Sequence, residues 1–124
     1  MEYLLLITVD PDGEPDDPTD RSVDDIEDWV AEGDRRGIRV RGDRLRPLEE
    51  AKVVRKRGGE VFVTDGPFAE SKEWIAGYDI LEAANLDEAI EYASRHPMAK
   101  AGRIEVRPAW PFEVAGSAEQ KGAE

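Results

Sequence analysis

The residue best placed for acid/base chemistry in this chain is Asp79. It falls in the stretch Trp74 to Glu82, where alternation puts Ile75, Gly77, Asp79 and Leu81 on one strand face. Trp74, Ala76, Tyr78 and Ile80 take the other face. A carboxylate among apolar neighbours loses its hydration, so it needs either a wet cavity or a basic partner, and Arg107 is one candidate for that partner. If the site is a cavity, burial raises the carboxyl pKa towards the range useful for proton transfer. A structural salt bridge or a wetter face accounts for the residue equally well.

A second carboxylate, Asp65, opens the most distinctive segment, Val63-Thr-Asp-Gly-Pro-Phe-Ala-Glu-Ser-Lys-Glu73. At a strand end, Asp65 could act as a general base or hold a ligand at a cleft mouth. The plainer reading is an Asp-Gly turn whose side chain accepts backbone N–H groups, with Pro67 stiffening the backbone just after the turn. Phe68, Lys72, Glu73 and Arg107 are the ligand-binding candidates around these two acids. Phe68 also reads as a core plug. Glu70, Lys72 and Glu73 read equally as a surface ion cluster, which contributes little. His96, the lone histidine, lies at a helix end, where a cation complements the dipole. Without cysteine or a second histidine it is a poor metal ligand, and no metal or cofactor is expected. The acidic loop from Asp10 to Asp20 has calcium-like composition, but Gly13 comes too early and Arg21 stands where a bidentate Glu belongs.

These residues need a scaffold, and the hydrophobic periods supply one. Glu2 to Val9 reads as a strand apolar on both faces. Ser22 and Asp25 suggest a helix start, followed by the stripe Val23, Ile26 and Val30 with Trp29 beside it, and Gly37 as the stop. Ile38 to Leu45 is a second strand, with Arg39 and Arg41 facing solvent between Ile38 and Val40. Val53-Val54 and Val61-Phe62-Val63 flank Gly58-Gly59, a two-residue hairpin signal. After the strand of Asp79, Asn85 and Glu88 form a capping box for a second helix, with stripe Leu86, Ala89, Ile90 and Ala93, ended by Pro97. Arg103 to Trp110 is the last strand.

The order β-α-β, hairpin, β-α-β predicts an α+β chain: a ferredoxin-like split β-α-β with an inserted β-hairpin. Its first and third core strands are then central, matching the two that are apolar on both faces. Both helices cover one side of the sheet. The other side carries Leu and Ile that are costly to leave wet, at about 25 cal/mol per Å². A second copy of the sheet is the simplest cover, so a homodimer is expected, with a cavity between sheet and partner.

The Asp-Gly-Pro-Phe and Ala-Glu-Ser-Lys-Glu run resembles the YCII-related family, in particular its DGPF subgroup. So do the opening Met-Glu-Tyr-Leu-Leu-Leu-Ile, Gly77-Tyr78, the Leu86-Asp-Glu-Ala89 helix start, Arg95-His-Pro97 and Ile104-Glu-Val-Arg-Pro108. The resemblance extends to about Phe112 and implies a dimeric α/β barrel. Members of the family are linked with enzymatic activity through a His-Asp pair whose His lies on the first helix. That helix here has no His, so the pair does not carry over. Some DGPF members are linked with extracytoplasmic-function sigma factors, which implies regulation.

Length and charge narrow the rest. The chain's 124 residues suit one domain, taken as residues 1–112 with a flexible tail over 113–124. No apolar run reaches the ~20 residues of a membrane span, no secretory signal opens the chain, and cysteine is absent, which makes the cytoplasm the expected compartment. A net charge of −12 argues against direct nucleic-acid binding. Charge is uneven, however: residues 35–57 carry a net +7 and the remainder −19. Two functions are open. One is a small-molecule-binding protein or cofactor-free acid/base enzyme, using Asp65 or Asp79. The other is a non-catalytic regulatory or interaction module whose basic band meets an acidic partner.

Overall fold

The computed structural model describes residues 1–13, 19–66 and 74–112. Among these residues six strands and three α-helices run in the order β1 (Glu2–Val9), α1 (Ile26–Arg35), β2 (Arg39–Arg44), β3 (Lys52–Arg57), β4 (Glu60–Asp65), β5 (Trp74–Glu82), α2 (Leu86–Ser94), α3 (Met98–Ala101) and β6 (Gly102–Pro108), with a 3₁₀ turn at Leu48–Glu50. The main sheet is antiparallel with strand order β2-β5-β1-β6. Its centre is therefore β1 and β5, as expected of strands apolar on both faces. This mixed architecture is consistent with a ferredoxin-like fold.

Local chemistry explains the element ends. The Asp25 side chain caps α1 by accepting from the Glu27 N–H at 2.8 Å, and Gly37 leaves the helix with φ +68°. Asn85 caps α2 by accepting from the Glu88 N–H at 2.9 Å, while Glu88 reaches back to the Ala84 N–H at 2.8 Å. β3 and β4 form a separate two-stranded sheet, turning at Gly58 and Gly59, both with positive φ as a type I′ turn requires.

The core lies on one face of the main sheet. Tyr3, Leu5, Ile7 and Leu81 meet Trp29 from α1 and Ala89, Tyr92 and Ala93 from α2, so both helices pack on the same side. Trp29 and Tyr92 join the two helices. Their rings stack at 4.1 Å, Trp29 Nε1 donates to the Tyr92 carbonyl at 2.8 Å, and the Tyr92 hydroxyl donates to the Trp29 carbonyl at 2.5 Å. Gly33 is glycine because a Cβ there would collide with that hydroxyl. Burial pushes the Tyr92 phenol above its ordinary range, so it serves as a neutral donor.

Two expectations about periodicity need correction. The buried stripe of α2 is Ala89, Tyr92 and Ala93, whereas Leu86 and Ile90 are exposed. In β2 the expected alternation fails, because a bulge shifts the register between Arg39 and Arg41. Val40 is consequently 51% exposed, and the Arg39 side chain only 16%. Arg39 is thus an inward residue.

Candidate functional site

Between the helix layer and the sheet lies a half-open pocket of about 750 Å³. Its floor is made where the sheet lacks bulk. Gly42 of β2 and Gly77 of β5 both line it, next to Asp79 and Ile7. Ile26, Trp29 and Val30, at i, i+3 and i+4 of α1, form one wall. His96 and Pro97, between α2 and α3, form another with Met98, the first residue of α3, while Arg44 and Leu45 stand at the end of β2. The lining is predominantly apolar, with a few convergent polar groups, the usual make-up of a small-molecule site.

Asp79 is the acid of this pocket, 6% exposed. Arg39 Nε donates to its Oδ1 at 2.9 Å, and the same guanidinium donates to the Gly42 carbonyl at 3.1 Å. Its partner is therefore Arg39 and not Arg107, which lies on the opposite sheet face. Gly42 has no alternative side chain at this point: a Cβ would collide with Asp79 Oδ1. Burial raises the Asp79 carboxyl pKa, the Arg39 hydrogen bond and charge pull it down, and Asp43 adds a smaller push upward, leaving it raised.

His96 is also 6% exposed, with its ring edge-on to Trp29 at 4.6 Å. Its Nδ1 accepts from the Met98 N–H at 2.9 Å. An imidazole that accepts at Nδ1 and is neutral carries its proton on Nε2. Burial, and next the nearby Arg39 charge, depress the pKa from 6.5 to about 4, so the ring is neutral at physiological pH. This corrects the expectation of a cation serving the helix dipole.

Neither Asp79 Oδ2 nor His96 Nε2 receives or makes a hydrogen bond among the described residues. Arg95 Nε is the only side-chain N or O atom of these residues that is both sealed from solvent and unbonded. The two free atoms therefore keep solvent access, which at these positions is the pocket.

The other expected site residues do not converge here. Asp65 ends β4 with an 86% exposed side chain, held by Lys52 at 2.5 Å rather than by backbone N–H groups. Arg107 is 65% exposed and 3.7 Å from Glu105, on the helix-free face. Phe68, Glu70, Lys72 and Glu73 lie outside the described residues, as does the tail from 113 on. The cavity was expected at the sheet's uncovered side, yet it lies within one chain on the covered side. Arg39 and His96 were the residues that sequence reasoning missed. For His96 a signal existed, since Ala89, Tyr92, Ala93 and His96 follow i, i+3, i+4, i+7. Nothing comparable announces the bulge that turns Arg39 inward.

Much of the basic band is neutralised internally, by Arg36 with Glu32 and Glu91, Arg46 with Glu50, Lys52 with Asp65 and Arg39 with Asp79. Among the described residues no group of three or more acids and histidines could hold a metal ion, and no helix is long and apolar enough to cross a membrane.

Fold and pocket together define a two-layer α+β protein with a cavity between its helices and its antiparallel sheet. The chain matches the YCII-related domain over residues 1–113 and belongs to that family. It is also similar to an uncharacterised protein of Rhizobium meliloti (strain 1021), 43% identical over 67 residues, a match covering 52% of this chain and 54% of that protein. The chain thus spans about half the length of that curated relative.

Proposed function

We propose that this chain, a YCII-related protein of the DGPF subgroup, binds a small molecule in the pocket between helices and sheet, with Asp79 as its acid/base group. The observation that carries this reading is a buried carboxylate whose second oxygen is unbonded and reaches a predominantly apolar pocket. An acid kept only for packing would have both oxygens satisfied or be replaced by an apolar residue. Arg39 is its positioning residue, orienting Oδ1 and leaving Oδ2 available. The test is a thermal-shift screen of small organic acids and carbonyl compounds against the native chain and Asp79→Leu. A hit that stabilises the native chain and not the variant is expected. Native chain and variant responding alike to every compound would sink the assignment.

The same reading includes a homodimer in the cytoplasm. Leu4, Leu6, Tyr78 and Ile80 form a half-buried apolar band on the helix-free face, bordered by Arg41 and Asp43 on one side and Glu105 and Arg107 on the other. An apolar centre with a charged rim is how protein interfaces are built. Sedimentation at micromolar concentration checks this. A dimer that Leu6→Asp dissociates is expected, and a monomeric native chain refutes it.

One observation favours the alternative of an interaction module. The β3–β4 ribbon leaves Val54, Val61 and Val63 about 60% or more exposed, and Arg55, Lys56 and Arg57 have no ion pair among the described residues. An isolated two-stranded ribbon is marginal in water, so it gains by packing against a partner. Retained binding of such a partner after Asp79→Leu would support that role, sigma-factor-dependent transcription being its setting by family resemblance.

A further inference from the structure

The pocket's polar groups also specify what it holds, granted the reading that it binds a small molecule. Three of its lining residues differ in character: Asp79 with its free Oδ2, His96 with its Nε2–H, and the cationic Arg44. Arg44 is the register partner of Gly77 and so sits over the glycine floor, on the same face as Asp79. It makes no ion pair among the described residues. Arg39, by contrast, is already matched by Asp79. Asp43, the other acid of the lining, accepts from the Tyr78 hydroxyl at 3.3 Å. The pocket therefore presents one cation without an ion pair, one neutral donor and one free carboxylate oxygen, with apolar walls from Ile26, Val30, Leu45 and Met98.

We infer that the ligand is a small carboxylic acid with an apolar body and an enolisable carbonyl: its carboxylate pairs with Arg44, its carbonyl oxygen accepts from His96 Nε2–H, and Asp79 takes the proton of the neighbouring carbon. The reaction this permits is a proton shift. The Asp79 carboxylate removes a proton from the carbon next to the carbonyl, and the C–H electron pair moves into the enolate. The enolate oxygen is stabilised by the His96 donor, and a neutral imidazole can donate there without surrendering its proton. The proton held by Asp79 swaps with water through the half-open pocket, and Asp79 then protonates that carbon or a conjugated one, so the products have the atoms and electrons of the substrate and carry solvent hydrogen. Arg44 contributes affinity and orientation, because charge-assisted contacts to a carboxylate are strong and directional.

Three matched probes test this: phenylpyruvate, 3-phenylpropionate and 4-phenyl-2-butanone, which carry both groups, the acid alone and the ketone alone. Binding is read from the Met98 methyl resonance, and catalysis from exchange of the protons beside the carbonyl in D₂O. Phenylpyruvate is expected to bind at least ten times more tightly than the ketone, with Arg44→Ala erasing that advantage. Exchange is expected to run tenfold or more above buffer, to vanish in Asp79→Asn and to fall in His96→Gln, with phenylpyruvate binding retained in both. A ketone that binds as well as the oxo acid, unaffected by Arg44→Ala, overturns the anion assignment. Bound phenylpyruvate exchanging at the buffer rate overturns the proton shift. In both cases the pocket remains a binding site. Only a Met98 signal that no probe and no screened compound perturbs would defeat the underlying reading as well.

Discussion

The two faces of the main sheet are built from alternate residues of the same strands, and they have been put to opposite uses. On the helix-covered face, Leu5 and Leu81 are fully buried, and the layer is closed wherever Trp29 and Tyr92 reach. It opens only where Gly42 and Gly77 replace side chains with backbone. On the helix-free face, Leu4, Leu6, Tyr78 and Ile80 are half-buried and shield one another, with charges at both edges. Polar chemistry sits where the apolar core is interrupted. A carboxylate has catalytic or binding potential on the closed face because dielectric and desolvation act on it there. On the open face Arg107 and Glu105 are solvated, and water levels their properties.

The largest effect should come from Trp29. Trp29→Ala removes a fully buried ring, its stack on Tyr92 and the hydrogen bond from Nε1 to the Tyr92 carbonyl, at a cost of about 3–5 kcal/mol. Leu6→Ala on the open face should cost less than half of that in dilute solution and more at high protein concentration. Chemical denaturation at two concentrations distinguishes the cases. Equal costs, independent of concentration, would erase the contrast between the faces.

Next is Arg39→Met. It leaves Asp79 buried without its cation, and breaking a pair of this kind costs about 3 kcal/mol near neutral pH. Without the guanidinium the carboxyl pKa rises further. The folded variant therefore takes up a proton more readily than its unfolded chain, and it recovers stability relative to the native chain as pH falls. A deficit that is flat with pH would mean Arg39 matters only for packing.

His96 gives an effect of similar size but opposite direction. The unfolded chain protonates His96 near 6.5, and the folded chain resists until about 4. Stability is thus fully present above pH 6.5 and declines as pH drops through that window, by roughly 3 kcal/mol in all. His96→Gln keeps an acceptor for the Met98 N–H and does not titrate, so its melting temperature should fall less between pH 6.5 and 4. Parallel profiles would place the imidazole in water rather than against Trp29.

How far the sequence reveals this contrast depends on which signals are local. Strand periodicity, the Asp25 and Asn85 caps and the Gly58-Gly59 turn are written in adjacent residues, and the central positions of β1 and β5 follow from their two apolar faces. Asp79 stands out for the same reason, as an acid in an apolar alternation. Arg39 is hidden because the bulge between it and Arg41 puts Arg39 and Gly42, an odd number of residues apart, on one face, and a bulge leaves no compositional mark here. Cavity position is less legible still. It depends on two glycines of different strands becoming diagonal neighbours, Gly42 opposite Asp79 and Gly77 opposite Arg44, a matter of register between β2 and β5 that neither strand encodes alone.

Asp65 supplies the smallest and most discriminating case. In sequence it rivals Asp79, since both are acids in the strand-rich half of the chain and Asp65 opens the more distinctive motif. In the fold its side chain is 86% exposed against 8% for Asp79, and its ion pair with Lys52 lies in water. Exposed pairs contribute about 0–1 kcal/mol, so Asp65→Asn should shift the midpoint of denaturation by no more than that. Binding of phenylpyruvate or of any screened ligand at Met98 should be unchanged, because Asp65 does not line the pocket. The motif's aspartate would then serve the ribbon end, where the neighbouring Gly66 N–H bonds the Ala51 carbonyl at 2.9 Å. Ligand binding lost in Asp65→Asn but kept in Asp79→Leu would move the functional site from the covered face to the ribbon.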